Sequence, residues 1–204
     1  MYIPQPYYFL RWLYPEAIFR LSTGGNNKIC LTFDDGPDPV STPKILDLTG
    51  EYGIKAVFFC TGENALRYPG LLQQITKSGH VIANHGFSHL DGWKTGTETY
   101  VKDVDRASEL LSSKIFRPPY GRLTPGQYLE LKKRYTIFFW DIMPYDYDRD
   151  LLPELSYKML CKKLRPGSVI ALHDKAEASS QVYLRQFIEY SLESRYSFIL
   201  PELY

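Results

Sequence analysis

Apolar residues fall along this chain in short unbroken blocks, separated by stretches in which they recur three or four positions apart. Residues 29–33, 56–60 and 81–84 are three such blocks, each bounded by charged or turn-forming residues, and they read as strands. Between them, Thr42 can cap and Pro43 open a helix that stops at Gly53, and Pro69 opens another closed by Gly79. Val101, Val104, Ser108 and Leu111 lie at helical spacing among charges, which predicts an amphipathic helix over 98–113 running into a strand at 115–117. Thr124 and Gln127 form a capping box around Pro125 and start the next helix, which ends near Tyr135. A strand at 136–141, a helix at 152–163, a strand at 168–173, a helix at 179–192 and a strand at 197–200 complete a pattern of seven strands and six helices.

Strands alternating with helices of ten or more residues imply right-handed βαβ crossovers and a parallel sheet, closed or open. A length of 204 residues with no low-complexity tract or linker fits a single α/β domain over 28–204. Residues 1–27 match no repeat, and their rings are expected to pack on the sheet and plug one end of it rather than touch a membrane.

Charge narrows the partners. Lys+Arg 24 against Asp+Glu 23 leaves a formal net charge of +1, so no broad field gathers phosphates and nucleic acid is not expected. Cys30, Cys60 and Cys161 lack the spacing of a metal knuckle or a redox pair and read as buried, inert thiols. The aromatic content of 15% suits stacking on sugar rings and a ring-rich core equally well. No apolar stretch is long enough to span a bilayer. Residues 2–19 are broken by Arg11 and Glu16 without a small-residue cleavage site, which predicts a cytoplasmic location.

The reactive side chains follow the same periodicity. Asp34 and Asp35 come after the first strand, His85 after the third, Arg117 at the end of the fourth, Asp141 of the fifth and His173 of the sixth. In a parallel barrel those carboxyl ends form one face, so distant residues would share a pocket. His85 and His89 are four apart, and on a helical turn both imidazoles point the same way, although two solvated histidines share that spacing. Asp35 as a third ligand gives two imidazoles and one carboxylate with open positions, a layout that suits zinc first and also cobalt, nickel or iron. Asp34 would then be free as a general base; the bland alternative for both acids is capping the turn at Gly36, Pro37 and Asp38. His173 is either an acid for a leaving amine or a satisfied core histidine. Arg117, stiffened by Pro118 and Pro119, needs a carboxylate partner, for which Asp34 or Asp146 would serve. His80, at the amino end of its strand, reads as structural.

Five blocks in order resemble the polysaccharide deacetylase family, the NodB-homology domain of carbohydrate esterase family four. They are Thr32-Phe33-Asp34-Asp35-Gly36-Pro37, His85 with His89, Arg117-Pro118-Pro119-Tyr120-Gly121, Trp140 to Tyr147, and Ile170 to His173. The resemblance runs from about Lys28 to Leu200 and implies a distorted parallel (β/α) barrel of seven strands in one domain. It further implies Asp34 as base and one divalent metal on Asp35, His85 and His89. Arg117 would steady the base, the backbone N–H of Tyr120 would hold the oxyanion, and His173, tuned by Asp146, would be the acid. Leu172 is implied in the acetyl-methyl pocket, with Pro119 and Tyr147 also on the substrate. Two positions depart from the pattern: Gly86 replaces a Ser or Thr, and Tyr147 replaces a Trp.

The resulting expectation is metal-assisted hydrolysis of the N-acetyl amide of an amino sugar or glycan. An O-acetyl carbohydrate esterase, a hydrolase of small cyclic amides and a non-catalytic carbohydrate-binding protein are the rival readings.

Overall fold

The computed structural model describes residues 2, 4–6 and 9–202; positions 1, 3, 7 and 8 of the N-terminal aromatic segment, with 203 and 204, lie outside the described residues. Its strands are β1 (Lys28–Asp34), β2 (Val57–Cys60), β3 (Val81–Asn84), β4 (Ile115–Phe116), β5 (Thr136–Ile137), β6 (Val169–His173) and β7 (Ser197–Phe198). All ladders are parallel, in the order β5-β4-β3-β2-β1-β6 with β7 also beside β1. The helices are α1 (Phe9–Leu13), α2 (Ser41–Glu51), α3 (Gly62–Arg67), α4 (Pro69–Lys77), α5 (Thr97–Leu111), α6 (Pro125–Leu131), α7 (Pro153–Lys163) and α8 (Ser180–Glu193). The chain is one domain, a curled parallel sheet wrapped by helices.

The sequence pattern misses α1 and α3, both too short to show a hydrophobic period. The Thr61 side chain caps α3 by accepting from the Asn64 amide, and α4 follows at once because Pro69 cannot continue a helix but can begin one. At α2 the cap is Asp38 rather than Thr42: its Oδ1 accepts from the amides of Val40 and Ser41 at 2.8 Å each. Ser41 and Thr42 instead donate to the buried carboxylate of Asp174 at 2.5 Å each, tying the start of α2 to the residue after β6. In α5 the buried face is Tyr100, Val104, Ala107 and Leu111, so Val101 and Ser108 lie at its margin.

The core has two sides because strand side chains alternate. Ile29, Leu31, Phe33, Ile170 and Leu172 pack outward against the helices, with Phe187 and Ile188 of α8. Cys30, Val57, Phe59, Ala83 and Val169 fill the concave interior. Each such apolar side chain, fully withdrawn from water, contributes about 1.5–3 kcal/mol. Cys30 and Cys60 are buried, and desolvation pushes the Cys30 thiol up to about 12, so neither is a ready nucleophile. His80 is likewise structural: its Nδ1 accepts from the Ala56 amide at 3.0 Å, and burial lowers its pKa to about 4.

The run 136–141 is not one strand. Only Thr136–Ile137 pairs with β4; Phe138 then bridges Ile18, and Ile142 bridges Ile170 of β6. This stretch therefore crosses the gap between the sheet edges, and the N-terminal segment fills what remains. The Ile18 amide donates to Ile137 O, the Phe139 amide to Ile18 O and the Leu21 amide to Gly167 O, each at 2.8 Å. Tyr14 and Phe19 stack on Phe139, with ring centroids 5.2 and 4.7 Å apart.

Crossing the gap changes the place of Asp141, which the sequence assigns to the reactive face. It sits instead beside the amino end of β6, fully buried, accepting from Ser168 Oγ and Arg165 Nε at 2.9 Å each and from Arg11 Nη2 at 3.2 Å. Arg165 Nη2 donates as well, so removing that charge leaves four donors from three residues with a weaker acceptor. Asp141→Asn is expected to cost about 2 kcal/mol in a urea titration while leaving metal affinity as it was; an equal loss of metal binding would move Asp141 back to the reactive site.

Candidate active site

Asp35 follows β1 at φ 73°, and His89 lies in a loop at φ 52°. His85 and His89 do not share a helical turn. Gly86, at φ 76° between them, bends the chain so that both Nε2 atoms meet Asp35 Oδ1, at 3.3 and 2.9 Å. A side chain at Gly86 would be strained by that φ and would meet Asp103 Oδ2 at 3.1 Å. In place of a hydroxyl at this position, Asp103 of α5 holds the loop, accepting from the amides of Phe87 (2.8 Å) and Ser88 (3.1 Å).

The donor chemistry of this cluster fits a cation. His85 Nδ1 lies 2.8 Å from the carbonyl of Arg117, which only accepts, so Nδ1 carries the proton and Nε2 presents its lone pair. That lone pair faces a carboxylate oxygen, and Asp35 Oδ1 is buried without a hydrogen-bond donor among the described residues. The three ligand atoms lie within 4.8 Å of one another. Asp35 itself is buried, only 6% exposed. Its other oxygen, Oδ2, takes the ammonium of Lys175 at 2.7 Å.

Asp34 stays out of this cluster. Its Oδ1 takes Arg117 Nη1 at 2.6 Å, and Arg117 is fully buried, with Nη1 also donating to Thr32 Oγ1 and Nη2 to Phe139 O. The guanidinium lies 4.0 Å from the Phe59 ring centroid. Of the two carboxylates open to Arg117 in the sequence, Asp34 is the partner. Asp146 serves His173.

The chain reaches Asp146 by running alongside β6 from Ile142. Asp146 accepts from the His173 amide through Oδ2 and faces Nδ1 through Oδ1, both at 2.8 Å. This leaves Nε2 as the nitrogen able to release a proton. Desolvation disfavours the imidazolium, but Asp146 first, then Asp35 and Asp34, overcome it and raise the pKa of His173 to about 9. In metal-free protein, NMR titration of His173 should give a value near 9, and Asp146→Asn should lower it. The folded value exceeds the unfolded one, near ~6.5. The associated stability is therefore complete below that pH and lost as pH rises through about 9.

Asp34, Asp35, His85, His89 and His173 line one cleft of about 290 Å³, together with Pro118, Tyr120, Trp140, Tyr147 and Lys175. Tyr147 stands edge-on to His173, centroids 4.9 Å apart. Tyr120 has φ 58°, and Gly121 follows at φ 65°, where a Cβ would strike the Trp140 ring at 2.4 Å. Two expected substrate contacts are elsewhere. Leu172 is fully buried in the outward core, because strand alternation gives Ala171 rather than Leu172 the face of His173. Pro119 is buried, and Pro118 lines the cleft instead. The sequence reading also misses Lys175 and Asp103, since a single charge after a strand or on a helix reads as solvated.

A family model for polysaccharide deacetylases matches residues 22–138, ending before Asp146 and His173. A peptidoglycan-N-acetylglucosamine deacetylase of Bacillus cereus is 35% identical over 74% of this chain, which spans 58% of that protein's length. A chitooligosaccharide deacetylase of Sinorhizobium fredii is 34% identical, over 79% of this chain and 78% of its own. The crystal structure of a peptidoglycan N-acetylglucosamine deacetylase superposes with a TM-score of 0.85 at 29% identity, covering 95% of this chain and 94% of the other. A carbohydrate esterase family four pseudoenzyme from Bacillus anthracis shares the fold, with a TM-score of 0.81 at 17% identity, covering 90% of this chain and 66% of that one, so architecture alone does not confer turnover. With the model spanning more than half of the sequence and relatives above 30% identity along most of it, this chain belongs to the polysaccharide deacetylase family.

Proposed function

We propose that this protein hydrolyses the N-acetyl amide of an amino sugar within a glycan, with a divalent cation, zinc first among the candidates, held by Asp35, His85 and His89. The observation that carries the reading is the division of labour between adjacent carboxylates. Asp35 Oδ1 faces two imidazoles, while Asp34 is tied to Arg117 in the same cleft. The names of the relatives, which act on peptidoglycan N-acetylglucosamine and chitooligosaccharides, support the substrate class.

A divalent cation bound there supplies Lewis acidity toward the acetyl carbonyl and brings the pKa of water toward ~7. Asp34, fixed by Arg117, accepts the proton that the attacking water gives up. The new C–O bond forms at the carbonyl carbon, and the turn at Tyr120 offers its backbone N–H to the developing oxyanion. His173 Nε2 then gives its proton to the amine as the C–N bond breaks, and Asp146 steadies the imidazole throughout. Acetate and a free amino sugar leave.

An amine is a poor leaving group until protonated, so an imidazole held on Asp146 through Nδ1, with Nε2 turned to the cleft as a proton donor, suits amide cleavage. The test is mass spectrometry of products from N-acetylated chito-oligosaccharides and from O-acetylated xylan, with and without a chelator. Loss of acetyl from the chito-oligosaccharides, abolished by chelation and restored by zinc, is expected. Acetate from xylan alone overturns the amide reading.

A further inference from the structure

A second cleft of about 680 Å³ adjoins the first and shares Tyr120, Gly121, Arg122, Trp140 and Met143 with it. Its far wall comes from Leu10, Leu13 and Tyr14 of the N-terminal segment. That wall is built in: Tyr14 OH donates to Leu123 O at 2.6 Å, and the Met143 amide to Pro4 O at 2.8 Å. A volume of this size admits a ligand of several hundred daltons rather than a solvent molecule.

The lining decides what such a ligand is. A sugar unit needs hydrogen-bonding groups aimed at its hydroxyls, and two of the polar side chains here, Arg122 and Thr124, are already engaged. The Arg122 guanidinium pairs with Asp91 at 2.6 Å and lies 4.9 Å from the Trp93 ring. Thr124 Oγ1 accepts from the Gln127 amide as the cap of α6. Apart from Gln5, what remains among the described residues is aliphatic and aromatic, and the rim continues as exposed apolar surface: Trp93 is 65% exposed and Leu13 37%. A contiguous apolar patch around a cleft marks a place where apolar ligand surface is buried.

We infer that this cleft receives an apolar group attached to the amino sugar, so that the preferred substrate is an amphiphile, an acetylated aminoglycoside of an alkyl or other lipid-like aglycone, rather than a longer polysaccharide. The inference rests on the deacetylase reading above and specifies its substrate. The two clefts share five lining residues, so an aglycone led out of the catalytic cleft past Tyr120 and Trp140 would meet the second one. Its burial there lowers KM while the reacting atoms remain the business of Asp34 and His173.

The experiment compares acetate release by the metal-loaded protein from methyl and octyl N-acetyl-β-glucosaminides, the latter below its micellar concentration, and from chitobiose and chitotetraose. A KM at least tenfold lower for the octyl than for the methyl glycoside is expected, with little gain from added sugar units. Leu13→Glu, at a half-exposed position outside the catalytic groups, should erase the octyl advantage and leave the methyl glycoside unchanged. Equal KM for the two glycosides, a gain that follows sugar count instead, or an octyl advantage that survives Leu13→Glu overturns the proposal. Binding of octyl β-glucoside, which has no acetyl group, is followed in parallel by tryptophan fluorescence in parent and Leu13→Glu. If no substrate yields acetate but this probe binds the parent and not the variant, the deacetylase reading fails while the apolar site stands; if acetate is released and the probe binds neither, only the site fails.

Discussion

Asp34→Asn is expected to lower acetate release by about 10²–10⁴-fold, the contribution typical of a positioned general base. The amide keeps the shape of the carboxylate, and its oxygen can still accept from Arg117 Nη1, so the fold and the metal ligands stay in place. What is lost is the capacity to take a proton. Metal content, measured by elemental analysis, should match the parent, and KM should change little, because Asp34 acts on the attacking water rather than on bound sugar. The buried guanidinium loses a charged partner, and a stability loss of about 1–3 kcal/mol is the expected side effect, so rates belong well below the unfolding transition. Activity within tenfold of the parent at equal metal content would remove Asp34 from its assigned role.

His89→Ala is expected to abolish both zinc binding and acetate release. Two ligands remain, and Lys175, at 2.7 Å from Asp35 Oδ2, then has the carboxylate largely to itself. The comparison with Asp103→Ala separates ligation from support. Asp103 accepts from the amides that shape the loop carrying His89, and losing such an outer partner typically weakens metal affinity by about 10–100-fold. The His89 variant should fall beyond that range in competition with a chromophoric chelator. Parent-like affinity in His89→Ala sinks the proposed cation site.

Much of the architecture was legible because it is written locally. Apolar blocks of four or five residues, the capping box at Thr124 and the turn residues after β1 act over short stretches, and the structure places an element at each. Asp34, Asp35, His85, Arg117 and His173 converge because each directly follows or ends a strand of one parallel sheet. Asp141 obeys the same positional rule and still misses the cleft. Whether 136–141 forms one ladder depends on Ile18 and Ile170, far away in sequence, and not on its own apolar character. The His85 to His89 loop departs from the expected helical turn for a related reason: spacing fixes a direction only once the backbone is known, and two left-handed positions replace that turn. Leu172 shows the cost of a one-residue offset on a strand, where neighbouring side chains face opposite sides.

The seam between β5 and β6 also sets the order in which the molecule can be assembled. Ile18 meets Phe138 and Arg20 meets Ser168, partners on the order of a hundred or more positions apart, so closing this edge carries a large loop-entropy cost and comes late. On a ribosome, residues 18–21 cannot complete their pairing until the sixth strand has emerged. The same strip that builds one wall of the apolar cleft thus docks only after distant partners are in place, and ligand held in that cleft would stabilise a finished barrel over one still open.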